Sequence, residues 1–309
     1  MNILVTGGAG YVGSKLVRNL VGLGHNVTVI DNLSLSSPEI LSDEEKKIKF
    51  IRGDLRDSND VMNALENVEL VYHLAGPFFI NLFTEQPVES FDSTVRGFIN
   101  LLESMRRLNV RKLVYASSSG VYGEQPLPLR EDYIPKPIYL RALSRKFVEE
   151  LAALYAKDYG FKITGFRPFT IYGDDEQLRG RAASSISVFV WSMKKGERPK
   201  IWGDGKQTRD FIHVEDVVRA YLIAMKKEFN HEIFNVAVGQ EISSNELVEI
   251  INNILGTKIE PIYIPLPPER TIYGRRSVAS IKKAEDLMGF KAEIGIHDGV
   301  ARVIKENSD

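Results

Sequence analysis

The chain has 309 residues, of which 43% are hydrophobic and 26% charged, with a net charge of −1 and no cysteine. This composition is typical of a globular protein with one large or two moderate domains, and the absence of a basic block argues against nucleic acid or an anionic membrane as partner. Lack of thiols excludes disulfides and Cys-ligated metal centres and favours a cytoplasmic protein. The five histidines lack metal-ligand spacing, so no metal site is predicted. We also expect no transmembrane helix and no signal peptide.

The first segment of the chain predicts a strand, a glycine-rich turn, a helix and a second strand, in that order. Residues 2–6 are a short aliphatic run, and residues 27–31 are another that ends in Asp31. Residues 7–13 hold the glycines, and residues 14–24 place apolar side chains at helical spacing. This order is the context that a dinucleotide-binding fingerprint requires.

The glycines of this turn have the spacing G-x-G-x-x-G, at Gly8, Gly10 and Gly13. Residues without a Cβ permit the tight turn, the approach of a pyrophosphate to backbone N–H groups, and close contact of helix and strand. The helix N-terminus adds donors and partial positive charge. Asp31 stands where a carboxylate meets ribose hydroxyls and repels a 2′-phosphate, so the predicted cofactor is NAD rather than NADP. The alternative is a glycine-rich turn that binds nothing.

Strand-like and helix-like segments continue to alternate through the first half of the chain. Buried strands are predicted at 48–52, 70–75, 112–117 and 162–166, and helices at 60–66, 89–108 and 139–159. The alternation predicts an α/β protein with a Rossmann-type, doubly wound parallel sheet. The carboxyl ends of its strands would share one edge, where ligands bind, and Asp31, Asp54, Gly76 and residues 117–119 fall there.

The second half of the chain predicts a smaller C-terminal lobe. Its helices are predicted at 184–195, 217–227 and 243–255, and its strands at 199–202 and 233–236. We expect a dinucleotide-binding domain over residues 1–168, to which the chain returns around 207–236. Residues 169–206 and 237–309 would form the substrate-binding lobe.

Several short motifs follow predicted strands. They are residues 6–13 (TGGAGYVG), 31–34 (DNLS), 53–55 (GDL), 73–76 (HLAG), 117–123 (SSSGVYG) and 203–211 (GDGKQTRDF). Together they resemble the extended short-chain dehydrogenase/reductases, and more narrowly the NAD-dependent nucleotide-sugar epimerase/dehydratase family, of which UDP-glucose 4-epimerase is the familiar member. The resemblance covers nearly the whole chain. It implies bound NAD, a nucleotide-sugar substrate (most often a UDP-sugar) and a homodimer formed through helices 89–108 and 139–159.

The resemblance also implies a mechanism and a set of NAD-binding residues. In the family, hydride leaves the sugar C4 and is later returned, while a tyrosine takes the C4 hydroxyl proton. A lysine four residues later supplies charge and binds the nicotinamide ribose, and a serine or threonine bonds the sugar oxygen. Ser118 matches that serine, although a serine at a strand end can also simply cap a loop. The implied NAD-binding residues are Gly7, Gly10, Tyr11, Val12, Gly13, Asp31, Asn32, Ser34, Asp54, Leu55, Leu74, Ala75, Gly76 and Arg145.

The tyrosine and lysine of the family are missing from this chain. Aligning Ser144 and Glu149 with the family pattern puts Arg141 at the tyrosine position and Arg145 at the lysine position. Arg145 can still donate to a ribose, but a guanidinium does not deprotonate, so Arg141 cannot be the base. Tyr139 is about 200° around the helix from Arg141, unless the helix starts later and Tyr139 lies in the preceding turn. The candidate catalytic residues are Ser118, Tyr139, Arg141 and Arg145.

The predicted substrate lobe carries candidate diphosphate-binding residues. Arg209 matches the family arginine that binds the nucleotide diphosphate, and guanidinium groups suit phosphate oxygens. Arg270 or Arg275 would be the second such arginine, and Thr170 stands where the family often has asparagine. With Ser118, the predicted substrate-binding residues are Thr170, Arg209 and Arg270. The alternative is a solvated charged surface.

Three hypotheses of function remain open from the sequence. The first is a nucleotide-sugar epimerase of the UDP-glucose/UDP-galactose type, in which Tyr139, or a water assisted by Ser118, replaces the base. The second is a catalytically silent or regulatory relative that binds NAD and a nucleotide sugar. The third is another nucleotide-sugar dehydratase, reductase or decarboxylase.

Overall fold

The computed structural model of the protein describes residues 1–266 and 275–306. The chain forms two compact units. Unit 1 comprises Met1–Val121, Pro135–Arg167 and Val218–Phe234. Unit 2 comprises Tyr122–Ile134, Pro168–Val217 and the chain from Asn235 onward.

The predicted helices and strands are present, with bounds shifted by a few residues. The strands are β1 (Asn2–Thr6), β2 (Asn26–Asp31), β3 (Ile48–Arg52), β4 (Leu70–His73), β5 (Lys112–Ala116), β6 (Lys162–Pro168), β7 (Thr170–Tyr172), β8 (Lys200–Trp202), β9 (Thr208–Arg209), β10 (Phe211–His213), β11 (His231–Val236), β12 (Ile242–Ser243) and β13 (Ile262–Ile264). The helices are α1 (Tyr11–Gly22), α2 (Ser58–Ala64), α3 (Ile80–Glu85), α4 (Pro87–Arg107), α5 (Leu140–Tyr159), α6 (Ser185–Lys194), α7 (Val214–Met225), α8 (Ser244–Leu255) and α9 (Ile296–Glu306). Across the described ranges, no helix combines the length and apolarity needed to cross a bilayer.

The central sheet has seven strands in the order β11-β6-β5-β4-β1-β2-β3. Strands β1 to β6 pair in parallel with their neighbours in this order. The order runs outward from β1 in both directions, as expected when right-handed crossover helices cover both faces of a sheet. The predicted doubly wound fold class is therefore confirmed.

The strands of this sheet are buried because helices cover them. Leu4, Val71, Leu113 and Ile163 are fully buried, one on each of β1, β4, β5 and β6. They belong to a core cluster that also includes apolar residues of α2, α4 and α5, among them Val61, Phe98, Leu101, Val148 and Ala152. Burial on both faces explains why the strands are almost continuously apolar in sequence.

The parallel arrangement brings the carboxyl ends of β1, β2, β4 and β5 to one edge of the sheet. The glycine turn follows β1, Asp31 is the last residue of β2, Gly76 lies just beyond β4, and Ser118 lies just beyond β5. This edge carries most of the candidate residues of unit 1.

Unit 2 has a separate apolar core between helices α6, α8 and α9. Ile186, Val190, Leu247, Ile251 and Val300 are buried together in it. Short strand pairs, β7 with β10, β8 with β13 and β9 with β12, lie in this unit. The β9–β12 pair places Arg209 opposite Ile242.

Candidate active site

The glycine turn is packed too tightly to admit side chains at several positions. Gly7 has φ +69° and donates its N–H to the Ile30 carbonyl at 2.9 Å. A Cβ added to Gly8 would lie 2.7 Å from Val29 Cγ1, and one added to Gly13 would collide with the Gly7 carbonyl oxygen. These contacts hold the start of α1 against β1 and β2, which is the function that the sequence pattern predicts for the glycines.

The N-terminus of α1 is suited to an anion. The helix begins at Tyr11 after Gly10, which offers no side-chain cap, and its first turn carries no acidic residue. The first backbone N–H groups of a helix lack intrahelical acceptors and carry partial positive charge. Tyr11 and Val12 therefore begin a helix whose donors can bind the phosphates of a dinucleotide.

Asp31 ties the glycine turn to the loop after β2. Its Oδ2 accepts the Ala9 N–H at 3.1 Å, and its Oδ1 accepts the Leu33 N–H at 2.9 Å and the Ser36 hydroxyl at 3.2 Å. A carboxylate offers about four lone-pair directions, so capacity remains for a ribose hydroxyl. Asp31 thus also shapes the glycine turn that is predicted to hold the cofactor.

Asn32, Ser34 and Asp54 form a neighbouring hydrogen-bonded group. Asn32 accepts the Ser34 N–H at 3.1 Å and donates to Asp54 Oδ2 at 3.0 Å. Arg56 donates to both oxygens of Asp54, at 3.0 and 2.8 Å, and these bonds hold the pKa of that carboxyl well below its usual range. Leu55, which follows Asp54 in the sequence, is buried against α4.

The loop after β4 lies directly against the glycine turn. Leu74 donates its N–H to the Thr6 carbonyl at 3.1 Å, and a Cβ on Gly7 would lie 2.7 Å from the Ala75 Cα. Gly76 has φ +124°, and a Cβ there would lie 3.2 Å from Nη2 of Arg145. The structure therefore brings Gly7, Ala75, Gly76 and Arg145 together, as a cofactor site requires.

Arg145 is a buried cation that lacks an acidic partner. Its side chain is 4% exposed and donates to the Ala116 carbonyl at 3.2 Å and, weakly, to the Pro77 carbonyl at 3.5 Å. Its Nε has no hydrogen-bond partner, and no carboxylate of the described residues forms an ion pair with it. Burial and the positive charge of Arg141 lower the pKa of Arg145 to about 10. The guanidinium lies with Nη2 beside Gly76, a position that fits a ribose hydroxyl of a dinucleotide.

Ser118 and Arg141 are hydrogen-bonded to each other at the end of β5. Ser118 Oγ accepts the Gly120 N–H at 3.1 Å and Nη2 of Arg141 at 3.2 Å. Both acceptor positions of the hydroxyl are therefore used, and its own hydrogen is left to donate elsewhere. Nε of Arg141 is buried without a partner.

Tyr139 lies outside helix α5, and this places its hydroxyl near Ser118. The sequence predicts a helix from 139, but α5 begins at Leu140, and Tyr139 is extended with φ −149° and ψ 158°. A Cβ on Gly120 would collide with the Tyr139 hydroxyl and lie 3.3 Å from Ser118 Oγ, so both hydroxyl groups lie beside Gly120, near the position that its missing Cβ would take. The Arg141 Cζ lies 6.0 Å from the Tyr139 ring centroid. The geometry resolves the alternative left open by the sequence, because Tyr139 occupies the turn before the helix.

Two sets of residues near this cluster have no role assigned from the sequence. Glu149 accepts two hydrogen bonds from Arg167, at 2.9 and 2.7 Å, and the Ser117 hydroxyl at 2.5 Å, all buried. This group ties α5 to the ends of β5 and β6 and so positions Arg141 and Arg145. The available signal was that Glu149 follows Arg145 by four residues on one helix face.

His73 forms the second set, with the Thr6 side chain beside it. Its Nδ1 lies 2.9 Å from the Thr6 hydroxyl, and its ring packs on Phe98 with the centroids 5.0 Å apart. Burial and the charge of Arg145 lower the pKa of His73 to about 3. The ring is therefore neutral and links β1 to β4 below the cofactor loop.

The candidate substrate residues Thr170 and Arg209 lie in unit 2. Thr170 donates its N–H to the Asp210 carbonyl at 2.9 Å, and Arg209 is partly buried and donates to the Thr208 carbonyl at 2.6 Å. The buried Asp210 carboxylate accepts the N–H groups of three residues, Val238, Gly239 and Ala279, and so fixes the chain beside Arg209. Arg270 lies outside the described residues, and Arg275 pairs with Asp204 at 2.5 Å on the surface.

The comparison with known proteins agrees with this geometry. Residues 3–237 match the model of the NAD dependent epimerase/dehydratase family. A putative UDP-glucose 4-epimerase of Methanocaldococcus jannaschii is 39% identical over 98% of this chain and 97% of that protein. A UDP-glucuronate 4-epimerase of Thermodesulfobacterium geofontis is 33% identical over 98% of this chain and 96% of that protein.

A solved structure shares the whole fold. The UDP-glucose 4-epimerase of Thermotoga maritima, crystallised with UDP-glucose, superposes with a TM-score of 0.92 at 30% identity, covering 99% of this chain and 98% of that one. The predicted family and cofactor are thereby confirmed. The chain belongs to the NAD dependent epimerase/dehydratase family and is an enzyme of that family with NAD as its cofactor.

Proposed function

We propose that this enzyme inverts the C4 centre of a UDP-linked sugar and that Tyr139 is its general base. The observation that carries the proposal is that the Tyr139 and Ser118 hydroxyl groups both lie beside Gly120, near the position that its missing Cβ would take. The relatives support the UDP-sugar class, because the proteins named above are 4-epimerases of UDP-glucose or UDP-glucuronate.

The chain's own residues supply the proton transfer. Ser118 accepts hydrogen bonds from Gly120 and Arg141 and directs its own hydrogen to the sugar C4 oxygen. Tyr139, as the general base, takes the C4 hydroxyl proton, and the Arg141 guanidinium lies 6.0 Å from its ring centroid. NAD, when bound, would supply reversible hydride transfer at C4. Tyr139 then gives the proton back, which restores the enzyme.

The proposed NAD site follows from the same geometry. The α1 N-terminus after Gly10 would bind the pyrophosphate, and Asp31 would bind the adenosine ribose. Arg145 would donate to the nicotinamide ribose with the guanidinium that lies beside Gly76, in place of the family lysine. In unit 2, Arg209 would bind the UDP diphosphate.

A second candidate is a silent relative that binds NAD and a UDP-sugar without reaction. The observation that favours it is Arg141 itself, because a group that cannot accept a proton bonds Ser118 where the family tyrosine would. Under this reading Tyr139 would be a packing residue.

Product analysis separates the two candidates. The purified protein is incubated with NAD and UDP-glucose, UDP-galactose, UDP-glucuronic acid or their N-acetylated counterparts, and products are identified by NMR. The proposal expects a C4 epimer that disappears in Tyr139→Phe. Binding of NAD and a UDP-sugar with no new product from any of them would establish the silent relative. A keto-sugar or a pentose would instead indicate a dehydratase or a decarboxylase.

A further inference from the structure

Unit 1 holds two guanidinium groups, on Arg141 and Arg145, that are one helical turn apart on α5 and lack an acidic partner. Among the described residues, neither forms an ion pair with a carboxylate, and each has a buried Nε without an acceptor. Arg145 is 96% buried, since only 4% of its surface is exposed. Buried cations are normally paired, because removing an unpaired charge from water is costly.

The acid closest along the helix does not neutralise these cations. Glu149 follows Arg145 by one turn, but its two oxygens already accept hydrogen bonds from Arg167 and Ser117. The positive charge of Arg141 in turn disfavours the charged form of Arg145 and contributes to its lowered pKa. The pair therefore leaves uncompensated positive charge at the edge of the sheet.

The position of Arg141 identifies which part of a ligand could supply the missing negative charge. The dinucleotide phosphates belong at the α1 N-terminus, and Arg145 is directed toward Gly76 and Pro77. Arg141 instead bonds Ser118, the residue proposed to hold the sugar C4 oxygen. In a hexuronic acid the carboxylate is attached to C5, the carbon next to C4. A guanidinium at this place is therefore within reach of such a carboxylate.

We propose that Arg141 binds a carboxylate on the sugar and that the substrates are nucleotide-linked hexuronic acids rather than neutral hexoses. This inference rests on the proposed function, because it uses Ser118 to locate C4. A guanidinium recognises a carboxylate with paired, charge-assisted hydrogen bonds, which a neutral hydroxymethyl group cannot replace. A neutral hexose would offer Arg141 no carboxylate to bind.

Calorimetric titration of the NAD-loaded protein tests this specificity. The probes are UDP-glucuronic acid, UDP-glucose and UDP alone. We expect UDP-glucuronic acid to bind at least about tenfold tighter than UDP-glucose, which corresponds to roughly 1.4 kcal/mol. Arg141→Gln should bring the two sugar nucleotides to within about twofold of each other and leave the affinity for UDP unchanged.

Two further variants keep the test interpretable. Lys157→Gln removes one positive charge from the exposed end of the same helix and should retain the full preference. If Arg141→Gln fails to fold, Arg141→Lys retains the charge without the planar fork and should reduce the preference in part. Thermal unfolding establishes that each variant is folded.

The outcomes distinguish this inference from the proposed function. Equal binding of the two sugar nucleotides, a preference for UDP-glucose, or a preference that survives in Arg141→Gln would overturn the carboxylate site. Epimerisation of UDP-glucose without any uronate preference would leave the proposed function intact and refute only this inference. A uronate preference that Arg141→Gln abolishes, in a protein that forms no product, would support the carboxylate site and refute the epimerase.

Discussion

The guanidinium of Arg141 donates to the hydroxyl oxygen of Ser118 at 3.2 Å, at the carboxyl end of β5. In the family pattern a tyrosine takes the position of Arg141. Arginine in place of this tyrosine puts a group that can only donate hydrogen bonds where a proton acceptor is needed. A general base must therefore come from another residue. We propose Tyr139 for this role, because its extended backbone before α5 places its hydroxyl beside Gly120, as it does that of Ser118.

Replacing Tyr139 by phenylalanine tests the assignment of the base. We expect Tyr139→Phe to lower kcat by roughly 10²- to 10⁴-fold, the usual contribution of a positioned acid–base group, with little change in KM. Ring packing against Arg141 is retained, so the thermal midpoint should change little. The measurement is initial-rate kinetics on whichever UDP-sugar the product analysis identifies.

The matched control for this change is Tyr159→Phe, which removes a hydroxyl from the exposed far end of α5. Its kcat should equal that of the unmodified enzyme. Retention of full activity in Tyr139→Phe would show that the proton goes to a water or to another residue.

We expect Asp31 to determine which dinucleotide the enzyme prefers. Its carboxylate lies at the end of β2 and accepts the Ala9 and Leu33 N–H groups. We expect Asp31→Asn to weaken NAD binding by roughly tenfold and to improve NADP binding, because the repulsion of a 2′-phosphate is lost. Fluorescence titration with both cofactors measures this change, with the exposed Asp43→Asn as control. Unchanged affinity for both cofactors would contradict the ribose-binding role.

Much of the fold was predictable from the sequence, because local patterns determine it. The apolar runs of β1, β2, β4 and β5 and the glycine spacing after β1 predict a parallel sheet with a dinucleotide turn, and the structure contains both. The position of Tyr139 was not predictable, because a helix start can shift by a residue without a change in periodicity. The burial of Glu149 with Arg167 was likewise not predictable, since it joins residues 18 positions apart through tertiary packing.

Replacing Arg209 by alanine tests whether the nucleotide diphosphate binds in unit 2. It projects from the short strand β9, beside the buried Asp210 that fixes this part of the chain. We expect Arg209→Ala to weaken UDP binding by roughly 10- to 100-fold, the effect of losing hydrogen bonds to a charged group. Calorimetry with UDP measures it, and affinity for NAD should not change. Lys206→Ala, an exposed charge in the same segment, is the control, and an effect on NAD instead of UDP would refute the assignment.

Exposed apolar side chains on α5 test the expected homodimer. Phe147 is 46% exposed and packs edge-on against Phe91 of α4, and Leu154, about two helical turns further along the same face, is 52% exposed. If α4 and α5 form the contact between two copies, Phe147→Glu should convert dimers to monomers in sedimentation equilibrium, because a buried carboxylate would lack a partner. Leu23→Glu, at a more exposed apolar site after α1, should leave the mass unchanged. A monomeric starting protein would contradict the expected dimer.

His73 makes the stability of unit 1 depend on pH. Its pKa is lowered to about 3 in the folded protein by burial and by the charge of Arg145, whereas an unfolded histidine titrates near 6.5. Between these values the unfolded chain binds a proton that the folded chain does not, so the free energy of unfolding falls as the pH drops from about 6.5 toward 3. The slope from this one group approaches about 1.4 kcal/mol per pH unit.

The variant that isolates this effect is His73→Gln, which keeps a polar group beside the Thr6 hydroxyl but does not titrate. Urea unfolding is followed from pH 7.5 to 4.5 for both proteins. Titration of the other groups changes the free energy of unfolding of both proteins alike. The difference between their two pH curves therefore gives the contribution of His73 to the pH dependence of stability. The variant should lose less stability with acidification than the unmodified protein, although it is less stable at pH 7.5 because glutamine packs less well on Phe98. Parallel curves over this range would mean that His73 is protonated in the folded state as readily as in the unfolded chain.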